Sequence, residues 1–319
     1  MQNRPLCVRV IAACLMLLTC GMACGQNYPA KPIRILSAEV GGGADFVARL
    51  VAQRITGILG RQVIVENRPA RLIGEIVMKA TPDGYTLLLA SSTFMFAPLF
   101  GETPYDPVKD FAPVTMLAKS PNVIVVHPAV QAATVRELIA LATAKPGVLN
   151  YGSGGTGSSL HLAAELFRQM AGVDITRIAY KGAGPALNDL LGGQVQIVFA
   201  TAGSVASHVK SGRLKALAVT SAKPSALAPG LPTVAAAGVP GYEVEAIYAL
   251  AAPAQTPAAI IRQLNQTIAP VLEQADLKEK FLLTGIEADA STPAQLADRI
   301  KSEIAKVRKL VEAQGLRAN

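Results

Sequence analysis

The 319-residue sequence has no tryptophan, few aromatic residues of any kind (5%) and only 16% charged residues. With so few aromatics for base stacking, and with its Lys and Arg scattered, it lacks the surface that nucleic-acid binding requires. Its four cysteines (Cys7, Cys14, Cys20 and Cys24) all fall within the first 25 residues. If that segment is removed, no cysteine remains for a disulfide, a zinc site or thiol catalysis. Only three histidines occur (His127, His161 and His208), with no H-x-x-x-H or H-E-x-x-H spacing to hold a metal. A G-x-S-x-G nucleophile elbow is also absent. The most prominent apolar run, Val10–Leu18, is too short to span a bilayer, which excludes a polytopic membrane protein.

Half of the residues are apolar (51%), enough for a large core without staples. Residues 1–25 have the form of a signal peptide: Arg4 and Arg9 precede an apolar stretch over Val10–Thr19, and Ala23-Cys24-Gly25 resembles a cleavage site. A periplasmic chain beginning at Gln26 is expected. The competing reading, acylation of Cys24 as a lipoprotein, is disfavoured by Gly21, where such sites usually carry a larger aliphatic residue. The remaining chain has 28 basic and 22 acidic residues, net +6, a surplus suited to steering anions.

Short β-rich runs alternate with helical patterns, as in α/β layers. Strands are expected at Ile33–Ser37, Gln62–Glu66, Thr86–Ala90, Val114–Leu117, Asn122–Val126, Leu149–Tyr151, Thr176–Ala179, Val195–Phe199, Leu214–Val219 and Glu243–Ala251. Helices are expected over Asp45–Leu59, Val135–Ala144, a segment ending at Ala171, and two Thr-Pro starts at Thr256-Pro257 and Thr292-Pro293, the second with a capping-box Gln295. The Pro-rich stretch Pro224–Pro240 reads as connector. Two lobes follow: residues 26–121 with 222–319, and residues 122–221.

Three small or polar turns each follow a strand, where open α/β sheets bind ligands. They are Gly41-Gly42-Gly43, Ser91-Ser92-Thr93 and the loop of residues 152–159. In the last, glycines allow close backbone approach, a helix start offers N–H groups to an anion, and Ser153, Thr156, Ser158 and Ser159 add hydroxyls. Residues 152–157 match G-x-G-x-x-G, but the acid that a dinucleotide site needs about 20 residues on is missing, as is a P-loop lysine. A small anion fits; so does an N-cap loop with no ligand. Asp45 is expected to cap its helix. A serine hydrolase using a Ser near His161 is the alternative from another class, though His161 is better placed to pack or cap than to act as a base.

Several segments in order resemble the Bug, or TctC-like, family of extracytoplasmic receptors of tripartite tricarboxylate transporters. They include Tyr28-Pro29-Ala30-Lys31-Pro32-Ile33, Gly41-Gly42-Gly43-Ala44-Asp45, Val65-Glu66-Asn67-Arg68-Pro69 and Pro82-Asp83-Gly84-Tyr85-Thr86-Leu87. Further matches are Tyr105-Asp106-Pro107-Val108-Lys109-Asp110, Asn150-Tyr151-Gly152-Ser153, Tyr180-Lys181-Gly182 and Gly192-Gly193-Gln194-Val195-Gln196.

The resemblance implies an α/β, two-lobed periplasmic-binding-protein (type II, Venus-flytrap) fold with two mixed sheets flanked by helices. It implies a non-catalytic, cofactor-free and metal-free receptor, expected to be monomeric. The ligand would be a small organic carboxylate (dicarboxylate, tricarboxylate, aromatic acid or amino acid) and the partner a membrane permease; an orphan receptor serving a sensor is the variant. The carried-over ligand positions are Gly42, Gly43, Ser92, Thr93, Ser153, Thr156, Ser158 and Ser159. Thr201, just past a strand, and Glu39, at the expected mouth, complete the set. Glu39 would need a cation or amino group beside it, and Ala200 stands where family members usually carry Asp.

Overall fold

The computed structural model describes residues 28–38, 43–180 and 182–315. The expected signal segment, and with it Glu39 and Gly42, lies outside the described residues. The first sheet is ordered β2 (Val63–Asn67), β1 (Ile33–Ser37), β3 (Thr86–Ser91), β9 (Glu245–Pro253), β4 (Phe111–Val126), with β10 (Glu287–Ala288) on the outer edge of β4. Strands β1, β2 and β3 are parallel, and β9 runs antiparallel between β3 and β4.

Strand β4 is 16 residues long and belongs to two sheets. Up to Pro121 it pairs with β9; from Asn122 it pairs with β7 (Ile197–Thr201) and β8 (Lys215–Val219), both antiparallel. Beyond β7 lie β5 (Asn150–Ser153) and β6 (Thr176–Ala179), parallel to it and to each other. The sequence suggested two strands here, broken near Pro121. The chain instead places its prolines where a missing N–H does no harm. Pro113 stands at a register shift against β9, and Pro121 is the last residue before the change of partners.

Each sheet is covered on both faces, so its strands alternate between two cores. In β1, Ile33 and Ile35 pack beneath α1 (Gly43–Leu59), α8 (Ala258–Leu272) and α9 (Ala275–Leu283). Leu36 faces the other way, toward α2 (Ala70–Met78), α3 (Ser92–Phe100) and α10 (Pro293–Gln314). In the second sheet, Ile124, Val126, Ile197 and Phe199 pack against α4 (Val135–Ala144) and α5 (Ser159–Ala171). Val123, Val125, Val198 and Ala200 pack against α6 (Ala183–Leu191) and α7 (Ala202–Lys210).

The stretch Pro224–Pro240 does more than connect. Val234 and Val239, followed by Tyr242, are buried in the core of the second sheet, and the Tyr242 hydroxyl donates to Ala163 O at 2.7 Å. The long α10 spans the junction, with Leu296 and Ile300 buried beside the first sheet. Its Arg299 reaches Glu245 at 3.2 Å, and Lys119 lies 4.0 Å from the same carboxylate. Burial still outweighs these cations and pushes the Glu245 carboxyl up.

Candidate ligand-binding site

The parallel strands of the first sheet end at Ser37, Asn67 and Ser91, and helices start just beyond them. Gly43 opens α1, and a Cβ there would overlap the Tyr248 hydroxyl, so the close approach requires glycine. Asp45 sits in the first turn, 4% exposed, and is held by Asn67 Nδ2 at 2.9 Å and Arg49 Nε at 2.9 Å. Its carboxylate is therefore committed to fixing the turn.

The turn expected at residues 91–93 is the start of α3. Ser91 caps it by accepting from Phe94 N at 3.4 Å. Ser92 is buried and accepts from Ile247 N at 2.9 Å, which ties α3 to β9. Of the two positions expected to touch ligand, only Thr93 is exposed.

The second sheet repeats the arrangement. Beyond β5, β6 and β7 lie the N-termini of α5, α6 and α7, capped at Ser158, Gly182 and Thr201. Ser158 accepts from His161 N at 3.3 Å. Gly182 and Thr201 provide no side-chain cap, so neither N-cap side chain takes up the first N–H groups of α6 and α7 at the strand ends. Ser153 is fully buried and its hydroxyl donates to Gly154 O at 3.2 Å; Ser159 is buried, and its carbonyl accepts from Asn122 Nδ2 at 3.4 Å. Thr156 is exposed at the loop tip. Thr201 is half-buried and donates to Ser204 Oγ at 3.1 Å. Gly157 adopts φ +81°, a left-handed conformation that favours glycine.

The sequence reading missed Arg177. On β6 it is in register with Tyr151 of β5. Its Nε donates to Ser153 Oγ at 2.8 Å, and its Nη2 lies 3.3 Å from both Gly154 O and Thr156 Oγ1. The available signal was the β-α-β unit itself, which sets residues of β5 and β6 side by side although 26 positions separate them in sequence.

Phe100 joins the two edges: its ring packs on Gly157 and lies 6.0 Å, centroid to centroid, from the His161 ring. His161 is fully buried; Nδ1 accepts from Gly157 N at 3.2 Å, and Nε2 has no hydrogen-bond partner among the described residues. Burial and the Arg177 charge push its pKa down to about 4, so the ring is neutral. Among the described residues no serine hydroxyl bonds to either ring nitrogen, which leaves the hydrolase reading without its nucleophile–base pair. Nor does any cluster there fit a metal, and no described helix is long and apolar enough to cross a membrane.

Ala200 is 1% exposed and packs with Leu190 and Val205, so its side chain faces the core. Three sizeable grooves among the described residues lie outside these edges. One, of about 1010 Å³, runs between α3 and α10; a second, of about 570 Å³, lies between α5 and α10 and shares only Ser159 with the expected set; a third, of about 560 Å³, lies beside the start of α4.

Comparison with known proteins agrees with this architecture. The chain is 35% identical over 311 residues to BugT of Bordetella pertussis, covering 94% of this chain and 95% of that one. Among solved structures, R. palustris Rpa4515 with adipate superposes with a TM-score of 0.80 at 32% identity, covering 92% of this chain and all of that one. MatC from Rhodopseudomonas palustris, with bound malate, gives 0.75 at 27% identity, covering 89% of this chain and all of that one. The family described as tripartite tricarboxylate transporter family receptor matches residues 47–316. With its periplasmic-binding-protein fold, the chain belongs to that receptor family.

Proposed function

We propose that this protein is a non-catalytic periplasmic receptor that encloses a small organic carboxylate between the two strand-end edges and presents it to a membrane permease. The observation that carries this reading is the second edge: three helix N-termini and the Arg177 guanidinium gather beyond β5, β6 and β7, where they can replace the water around an anion. The adipate and malate bound by the two related structures support a carboxylate as the ligand class.

Within the expected set, Gly43, Thr93, Thr156 and Thr201 meet the ligand. Ser92, Ser153, Ser158 and Ser159 build the backbone behind them, because their hydroxyls or carbonyls are spent on internal bonds or buried. The change of partners at Asn122 and the packing of Val234, Val239 and Tyr242 favour lobes of residues 26–121 with 245–319, and 122–244. This moves the second boundary from 221 to the start of β9. Residues 1–25 act as the export signal.

The test is thermal unfolding of the protein, refolded to strip carried-over ligand, with adipate, L-malate, citrate, benzoate, L-glutamate, putrescine and glucose. A ligand at a hundred times its Kd adds about 2.7 kcal/mol, a rise in Tm of about 5 °C or more for a protein of this size. A rise with one or more of the acids is expected. A rise with putrescine or glucose alone, or with nothing, overturns the reading.

A further inference from the structure

We propose that Arg177 sets the preference of this site for anions by turning the Gly/Ser loop into a surface of hydrogen-bond donors, acting through the Thr156 hydroxyl. The inference rests on the receptor reading above and extends it to a specificity-determining residue. A guanidinium offers five N–H donors and no acceptor. A hydroxyl that accepts from it keeps its own proton for a different acceptor. Ser153, 2.8 Å from Arg177 Nε, spends that proton on Gly154 O at 3.2 Å. Thr156, 3.3 Å from Arg177 Nη2, is exposed and donates to no described residue. Its O–H is therefore available to an acceptor at the loop tip, polarised by the cation behind it.

Arg177 itself is half-buried, and no described carboxylate lies within ion-pair distance of it, whereas Arg34, Arg49, Arg54, Arg68, Arg168 and Arg299 each meet one. No described carboxylate therefore neutralises the charge it brings to the loop. Burial first, and then the Arg177 charge, hold the pKa of the neighbouring His161 down. A carboxylate has only acceptors to offer and fits such a loop. An amide of the same shape carries no charge, and its N–H groups meet only the remaining lone pairs of the loop's oxygens, weaker partners than the cation-backed donors are for a carboxylate.

The experiment compares the acid of the panel that wild type binds most tightly with the amide of that same acid, by titration calorimetry. Wild type, Arg177→Gln, Arg177→Lys, Thr156→Val and the double variant Arg177→Gln/Thr156→Val are measured. Losing a charge-assisted network predicts that Arg177→Gln weakens the acid by about tenfold or more, with little change for the amide. Thr156→Val, on an exposed loop tip, narrows the acid-to-amide ratio by about three- to tenfold. The double variant falls no further than Arg177→Gln, since both act on one hydroxyl. Arg177→Lys keeps the charge without the fork and retains part of the ratio.

A merely structural arginine would weaken acid and amide alike, so proportional losses overturn the proposal. So does an unchanged ratio in Thr156→Val, which covers the case in which Arg177→Gln fails to fold. If wild type binds no acid at all, the receptor reading falls and this inference with it. If wild type binds an acid and the variants keep its preference, only the inference falls.

Discussion

At the scale of single residues, His161 couples the fold to solution pH. Its pKa is near 4 in the folded chain against about 6.5 when unfolded, because burial and Arg177 both oppose its charge. The unfolded chain therefore binds the extra proton first as pH falls. The stability contributed by the neutral ring is complete above pH 6.5 and is lost as pH drops toward 4, about 3 kcal/mol in all. Urea unfolding of wild type and His161→Gln between pH 7.5 and 4 checks this: the variant is expected to lack that part of the acid decline. At this scale the sequence names candidate hydroxyls without the directions in which they point. Ser92 and Thr93 look alike as adjacent hydroxyls; only the helix start at position 92 turns one into the β9 contact and leaves the other exposed. Arg177 looked like an ordinary strand charge, since nothing local indicates that Ser153 and Thr156 lie against it.

At the scale of elements, local signals were legible where they carry their own physics. The helix from residue 292 has its capping box: Thr292 Oγ1 accepts from Gln295 N at 3.2 Å, and Gln295 Oε1 accepts from Thr292 N at 2.9 Å. Thr292→Ala is expected to cost about 1 kcal/mol, seen as a lower urea midpoint at unchanged slope. Strands β1 and β6 and helix α4 likewise fall where their periodicity put them. Helices α2, α3, α6 and α9, each nine residues long, escaped notice because so short a helix gives a two-turn pattern that resembles a loop. The continuity of β4 was hidden for a different reason. Proline usually ends a strand, but at Pro113 a register shift, with Ser291 Oγ accepting from Met116 N at 3.0 Å, carries the ladder past the interruption.

At the scale of the molecule, the two sheets also meet through a pair of glycines. A Cβ on Gly203, in the first turn of α7, would lie 2.7 Å from Thr284 O and 2.9 Å from Gly285 Cα, in the turn after α9. The Gly285 carbonyl is in turn fixed by Ser120 Oγ at 2.7 Å, beside the point where β4 changes sheets. Gly203→Ala is therefore expected to push α7 away from that turn and to cost about 1–3 kcal/mol. Small-angle scattering should show a larger radius of gyration than wild type, and an unchanged radius with unchanged stability would show that the contact tolerates the added methyl.

The placement of β9 has a consequence for how the chain is made. β9 lies between β3 and β4, so the first sheet lacks an interior strand until residue 253 has been supplied. A chain that is synthesised, or threaded through a membrane, from its N-terminus can assemble β5 to β8 against the end of β4 while the first sheet still stands open. Sealing of the first sheet is thus deferred to the last quarter of the chain, after the strands of the second sheet have all been supplied.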